Sequence, residues 1–202
     1  MSKKFLDDVY TDAKADVAGF YDTWAATYED EVTENAYVTP ARVAAALADA
    51  GTPHDARILD FGCGTGLGGD ALVAQGFTLI DGTDLSAQML AHAEAKQIYG
   101  RLWHANADAP LAIPFGTYSV IAAIGVVSPG AGPPGLLADL AACLDGGGRL
   151  AFSFNDHALA DPSYIDALHD LRDRDMSMLH ESYGEHLPKR GMRSTVYLFE
   201  KA

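Results

Sequence analysis

The segment 58–68 combines an acidic side chain with four closely spaced glycines. Its sequence is typical of a buried strand that ends near Asp60, followed by a glycine-rich turn that opens a helix. Gly62 and Gly64 allow a sharp turn and close approach of the backbone to a ligand. Backbone N–H groups and a helix N-terminus then face that ligand. A carboxylate beside the turn would not stabilise a bound phosphate, because both groups are negatively charged. The motif therefore favours a ligand that carries an ammonium group.

Two further acids follow Asp60 at equal intervals, at positions 84 and 108. Asp84 ends the second predicted strand, where nucleotide-binding folds hold ribose hydroxyls. Its alternative role is to cap the helix that follows. Asp108 ends the third predicted strand and could accept a hydrogen bond from an adenine amino group, although Asp is also a frequent turn residue. The three acids together favour a nucleoside that bears an amino acid over a dinucleotide.

Hydrophobic patterning positions these residues at the ends of strands. Alternating strands and helices predict βαβ units in a parallel sheet, whose strands all end at one edge. Thr39-Pro40 predicts a helix start with Thr39 as the N-cap. The predicted strands are 56–61, 77–82, 102–107, 118–124 and 149–154, with two tail strands at 176–183 and 193–200.

Composition limits the classes of partner. The chain has 202 residues, 49% of them hydrophobic, which suits one domain with a sizeable core. Its net charge of −14 repels nucleic acid and anionic membrane surfaces, so neither is predicted as a partner. Two cysteines, no signal peptide and no long apolar run favour a cytoplasmic protein. The His-Glu segment at 180–186 lacks zinc-helix spacing, and no metal site is predicted.

Three successive motifs resemble those of class I S-adenosylmethionine-dependent methyltransferases: residues 59–66, 81–90 and 146–150. The resemblance implies a Rossmann-like α/β fold. Its sheet would be mostly parallel and seven-stranded, with helices on both faces and an antiparallel C-terminal strand. Residues 21–28 and 96–99 are similar to a narrower group, the small Williams–Beuren-type methyltransferase-like proteins.

The resemblance also implies S-adenosylmethionine as the cofactor. Around the methionine end, Asp60 would orient the amino group, directly or through water. Gly62 and Gly64 would pass along the carboxylate and the sulfonium region. Gly125, just past the fourth strand, would border the methyl group.

The nucleoside end of the cofactor is assigned by the same resemblance. Asp84 would take the ribose hydroxyls, and Leu85 and Met89 would flank the adenine. Asp108 would meet the adenine amino group, and the Ala109 N–H would meet the ring.

Residues 1–38 are predicted to form an N-terminal helical lid on a methyltransferase domain of residues 39–202. Tyr21 and Tyr28 would belong to the part that closes over the cofactor. They share one helical face with Trp24, and the alternative is that this face only packs the helix onto the domain. The lid and the loop 128–135 would shape a pocket for a small-molecule acceptor.

Methyl transfer from a sulfonium is an in-line displacement that depends mainly on alignment. A base is needed only if the acceptor must lose a proton, so the sequence predicts no catalytic residue. Two alternatives remain open at this point. One is a non-catalytic domain that senses the cofactor or serves a partner subunit, and the other is a nicotinamide-dependent oxidoreductase.

Overall fold

The computed structural model describes residues 5–9, 16–107 and 111–202. No helix in these ranges is long and apolar enough to cross a membrane. The strands are Arg57–Phe61 (β1), Leu79–Asp84 (β2), Leu102–His104 (β3), Val120–Ala123 (β4), Arg149–Asn155 (β5), Met176–Leu187 (β6) and Met192–Lys201 (β7). The helices are Phe5–Asp8 (α1), Val17–Trp24 (α2), Tyr28–Glu34 (α3), Thr39–Asp49 (α4), Leu67–Ala74 (α5), Ala87–Ala95 (α6), Leu136–Ala142 (α7), Asp156–Leu159 (α8) and Pro162–Arg172 (α9).

The strands form one seven-stranded sheet in the order β3-β2-β1-β4-β5-β7-β6. The first five strands pair in parallel, and β7 is antiparallel to both β5 and β6. This arrangement confirms the fold class predicted from the sequence. The order of connection reverses between the neighbours β1 and β4. Ligands of such sheets bind at this switch point, beyond the carboxyl ends of the strands.

Several local predictions differ from the structure. The first tail strand runs to Leu187 rather than to residue 183, and the fourth strand covers only Val120–Ala123. The second strand begins at Leu79 rather than at residue 77, because the buried Phe77 still closes α5 through a hydrogen bond from its N–H to Leu72 O. The third strand ends at His104, three residues earlier than predicted. Thr39 is not an N-cap: the cap of α4 is Val38, and the Thr39 hydroxyl bonds to a distant histidine.

The sheet has a hydrophobic layer on each face because successive strand residues point to opposite sides. On β1, Ile58 packs into a cluster that contains Leu47 of α4 and Leu72 of α5. The next residue, Leu59, packs into the opposite cluster, which contains Leu137 of α7. The two layers fix the height and direction of β1 and therefore the position of the glycine turn at its end.

A third cluster attaches the N-terminal helices to the domain. Phe5 and Trp24 stack with their ring centroids 6.0 Å apart, and both are buried. Other buried members of this cluster are Leu6, Val9, Val32 of α3 and Leu187 at the end of β6. The N-terminal segment therefore packs against the C-terminal end of the sheet through apolar contacts of its own.

Candidate functional site

A cavity of about 730 Å³ lies at the carboxyl ends of β1, β2 and β4. Its walls come from the glycine turn, the end of β2, the loop after β3, the loop after β4 and the N-terminal helices. This volume falls in the range of small-molecule and cofactor sites. Eight of the predicted cofactor residues line it: Tyr21, Tyr28, Gly62, Gly64, Asp84, Leu85, Met89 and Gly125.

The glycine turn is held against the end of β2. The N–H groups of Gly62 and Cys63 both donate to the carbonyl oxygen of Thr83, at 2.8 and 3.0 Å. Gly62 has a φ of +68°, and a side chain there would collide with Val126. Only glycine fits such a position, so Gly62 lets the turn fold tightly against both neighbouring strands.

Asp84 lies at the end of β2 and in the wall of the cavity. Its carboxylate accepts hydrogen bonds from the N–H groups of Gly64 and Ser86, both at 2.8 Å. Burial raises the pKa of Asp84, although these N–H groups favour its ionised form. The side-chain cap of α6 is Ser86, whose hydroxyl accepts from Met89 N at 3.0 Å. Asp84 therefore ties the glycine turn to the start of α6.

Asp60 lies behind the glycine turn, and its side chain is not among those that line the cavity. The residue is 1% exposed, and Tyr99 Oη donates to its carboxylate at 2.7 Å. Burial, together with the nearby charge of Asp84, raises the pKa of Asp60 to about 7, despite the hydrogen bonds from Tyr99 and from the Gly69 N–H. A cation that approached this carboxylate would therefore lower its pKa and gain a strong partner.

Gly68 makes room for Asp60 at the start of α5. A Cβ at this position would lie 2.8 Å from one carboxylate oxygen of Asp60. We expect Gly68→Ala to lower the free energy of unfolding by about 1–3 kcal/mol, because the buried acid cannot move away without strain. Urea denaturation measures this change. Gly135→Ala is the matched control, since nothing lies within 4 Å of a Cβ there, and an equal loss in both variants would contradict the explanation.

The N-terminal helix α2 is joined to the start of α6 beside the cavity by hydrogen bonds. Asp22 accepts hydrogen bonds from Ser86 Oγ at 2.5 Å and from Gln88 N at 3.1 Å. On α3, Glu29 pairs with Lys96 at 2.9 Å, and Lys96 also pairs with Asp70 of α5. These contacts hold α2 and α3, which contain Tyr21 and Tyr28, at the wall of the cavity.

Asp22→Ala is expected to loosen α2 without unfolding the domain. Loss of the two hydrogen bonds that the Asp22 carboxylate accepts costs about 1 kcal/mol, which corresponds to roughly fivefold more frequent local opening. Hydrogen exchange of the amides in residues 17–24 should speed up accordingly. The control is Glu34→Ala, on the exposed end of α3. Unchanged exchange in the Asp22 variant would show that the apolar cluster around Trp24 alone holds α2 in place.

The structure bears differently on the other residues that the sequence analysis considered. Asp108 and Ala109 lie outside the described residues. Cys63, in the glycine turn, is buried, and burial raises the pKa of its thiol, which disfavours a reactive thiolate there. Sequence reasoning assigned no role to Tyr99, the partner of Asp60. The only feature of the sequence that pointed to Tyr99 was its place in the 96–99 motif. Its contact with Asp60 could not be predicted, because the two residues are 39 positions apart.

The sheet order, the glycine turn after β1 and the acid at the end of β2 define a class I methyltransferase architecture. A model of the methyltransferase-domain family matches residues 33–191. The chain therefore belongs to the methyltransferase-domain family, which confirms the class predicted from its motifs.

A curated relative supports this membership. Methyltransferase-like protein 27 of Homo sapiens is 37% identical over 131 residues, which cover 63% of this chain and 54% of that protein. The chain thus matches about half the length of this relative. The narrower resemblance to the Williams–Beuren-type proteins stays a prediction.

Two solved structures share the fold. One is magnesium protoporphyrin IX methyltransferase from Synechocystis PCC 6803 with bound SAM. It is 19% identical, with a TM-score of 0.66, covering 100% of this chain and 99% of that one. The other is a TehB-like SAM-dependent methyltransferase from Corynebacterium glutamicum, 22% identical, with a TM-score of 0.61, covering 89% and 99%. At these identities the similarity concerns the fold alone.

Proposed function

We propose that this chain transfers a methyl group from S-adenosylmethionine to a small-molecule acceptor. The observation that supports this most is the cavity beside the glycine turn, with the Asp84 carboxylate in its wall. When bound, the cofactor supplies a methyl group on a positively charged sulfur that leaves readily. Family membership and the SAM-bound relative agree with this donor.

The residues of the cavity suit the nucleoside half of this cofactor. Asp84 has a carboxylate that can accept from both ribose hydroxyls. Leu85 and Met89 offer apolar surface for the adenine ring. The proposed assignments of Asp108 to the adenine amino group and of the Ala109 N–H to the ring are part of the same hypothesis.

Asp60 supplies a charge that suits the amino-acid half. It lies beneath a turn whose glycines border the cavity, so we propose that it acts on the ammonium group directly or through water. Gly62 and Gly64 would lie along the carboxylate and sulfonium region, and Gly125 would border the methyl group. An ammonium group would also offset the cost of keeping the Asp60 carboxylate buried.

Catalysis in this proposal rests on alignment and on the exclusion of water. Correct positioning of two reactants can lower a barrier by about 7–11 kcal/mol. Tyr21 and Tyr28, on helices fastened to the core, would cover the reacting end of the cavity. A cytoplasmic location fits the two free cysteines and is part of the proposal.

Labelled methyl transfer tests the proposal. The protein is incubated with S-adenosylmethionine that carries a radioactive methyl group and with a fractionated small-molecule extract. We expect label in an organic product and stoichiometric release of S-adenosylhomocysteine. Tight binding of the cofactor with no transfer to any fraction would instead favour the non-catalytic alternative, a sensor or partner subunit.

A further inference from the structure

A second, smaller pocket of about 60 Å³ adjoins the large cavity. Tyr21, Tyr28 and Gly125 line both spaces, so they form the boundary between them. A Cβ at Gly125 would lie 2.8 Å from Tyr37 Oη. Glycine at this position therefore avoids a collision with Tyr37, at the point proposed above for the methyl group.

One residue that lines the second pocket has a buried hydrogen-bond donor without a partner. Trp24, which lines it, is 2% exposed. The indole N–H of Trp24 has no hydrogen-bond partner within the part of the chain that the structure describes. A buried donor without a partner is costly, so a molecule that brought an acceptor atom to it would gain binding energy.

His186 lines the same pocket, and a hydrogen bond at Nδ1 holds its ring in place. Its Nδ1 lies 2.8 Å from Thr39 Oγ1, which in turn lies 3.0 Å from Ser194 Oγ. Arg42 donates to Ser194 Oγ at 2.9 Å and so anchors this chain of hydroxyl groups. Because Thr39 occupies Nδ1, Nε2 is the ring nitrogen left for a molecule in the pocket.

The charges around the second pocket suit an uncharged guest. Among the described lining residues, His186 is the only ionisable group apart from tyrosines. Burial lowers the pKa of His186 to about 4; nearby Asp156 opposes this shift, while Arg42 and His157 add to it. The ring is therefore neutral at physiological pH, and one of its two nitrogens keeps a free lone pair. Rings of Trp24, Tyr28 and Tyr37 provide flat apolar walls.

We propose, on the basis of the methyl transfer proposed above, that the second pocket binds the acceptor and that His186 is a catalytic base. The acceptor is an uncharged molecule with a hydroxyl, thiol or aromatic amine as its nucleophile. Its heteroatom forms a bond to the methyl carbon while the carbon–sulfur bond breaks with its electron pair on sulfur. The proton of the heteroatom passes to His186 Nε2 and then to water.

The two tryptophans allow a direct binding test. Trp24 and Trp103 should give two indole N–H signals in a nitrogen-15 NMR spectrum, and Trp24→Phe assigns them. Phenol, thiophenol and aniline are titrated into the complex with S-adenosylhomocysteine, with benzoate and benzylammonium as charged counterparts. We expect at least one uncharged probe to shift the Trp24 signal and to leave the Trp103 signal in place.

Failure can be assigned to one of the two proposals. If S-adenosylhomocysteine does not bind to the folded protein, the proposed function itself is wrong. If it binds but no uncharged probe shifts the Trp24 signal, or only a charged probe does, the acceptor pocket is wrong.

Turnover of the bound probe tests the role of His186. His186→Gln should slow release of S-adenosylhomocysteine at least tenfold and leave its affinity within twofold. The matched control is His180→Gln, on the same strand β6, which should turn over like the wild type. Equal rates in the wild type and His186→Gln would show that His186 is not the catalytic base. Binding of the probe without methyl transfer would show that the second pocket is not the acceptor site.

Discussion

Replacement of Asp84 by asparagine is expected to weaken binding of S-adenosylhomocysteine by about 10–100-fold. Asparagine keeps the shape and one acceptor oxygen, but it loses the charge and the second acceptor. Hydrogen bonds to a charged group contribute about 1.5–3 kcal/mol, and 1.4 kcal/mol corresponds to a tenfold change in affinity. Isothermal titration calorimetry on the folded variant measures the effect.

Asp139→Asn is the matched control for this experiment. Asp139 also lines the large cavity, but it lies on α7, away from the glycine turn. We expect its substitution to change the affinity less than twofold. Similar losses in both variants would mean that the net negative charge of the cavity matters, rather than a specific contact of Asp84 with the ribose.

Asp60→Asn is expected to stabilise the ligand-free protein at pH 8. Folding raises the pKa of this acid from its ordinary value of 3.8 to about 7, so the folded state holds the proton more tightly than the unfolded state does. The carboxyl therefore lowers stability progressively as the pH rises from about 4 to about 7. The full penalty is at most about 4 kcal/mol, and each recovered kcal/mol raises Tm by about 2–4 °C.

The same variant should lose affinity for S-adenosylhomocysteine, because asparagine cannot pair with an ammonium group. In the wild type, affinity should fall as the pH drops through 7, since Asp60 must release its proton to form that pair. Calorimetry in buffers of different ionisation enthalpy detects this proton release. Wild-type affinity that stays flat between pH 6 and pH 8 would contradict the proposed contact.

Features that depend on local sequence were predicted well. Alternation of apolar strands and helices gave the parallel sheet, and the acid after the second strand fell at the edge of the cavity. Gly62 has the positive φ that its place in a sharp turn requires. The patterns behind these predictions span a few residues, where chain geometry limits the choices.

Contacts between distant residues could not be predicted. Thr39 has the sequence context of an N-cap, yet its hydroxyl bonds to His186, 147 positions away. Tyr99, which helps to enclose the Asp60 carboxylate behind the turn, is 39 positions away from it in the sequence. These outcomes depend on how separate elements pack together, which no local pattern encodes.

Ligand selectivity tests the central claim most directly. Thermal unfolding is followed with S-adenosylmethionine, S-adenosylhomocysteine and NAD, each over a range of concentrations. A ligand at about 100 times its Kd should stabilise the fold by about 2.7 kcal/mol. We expect this stabilisation with both sulfur nucleotides and none with NAD. No shift with either sulfur nucleotide on a folded sample, or a shift with NAD alone, would contradict a methyltransferase that uses S-adenosylmethionine.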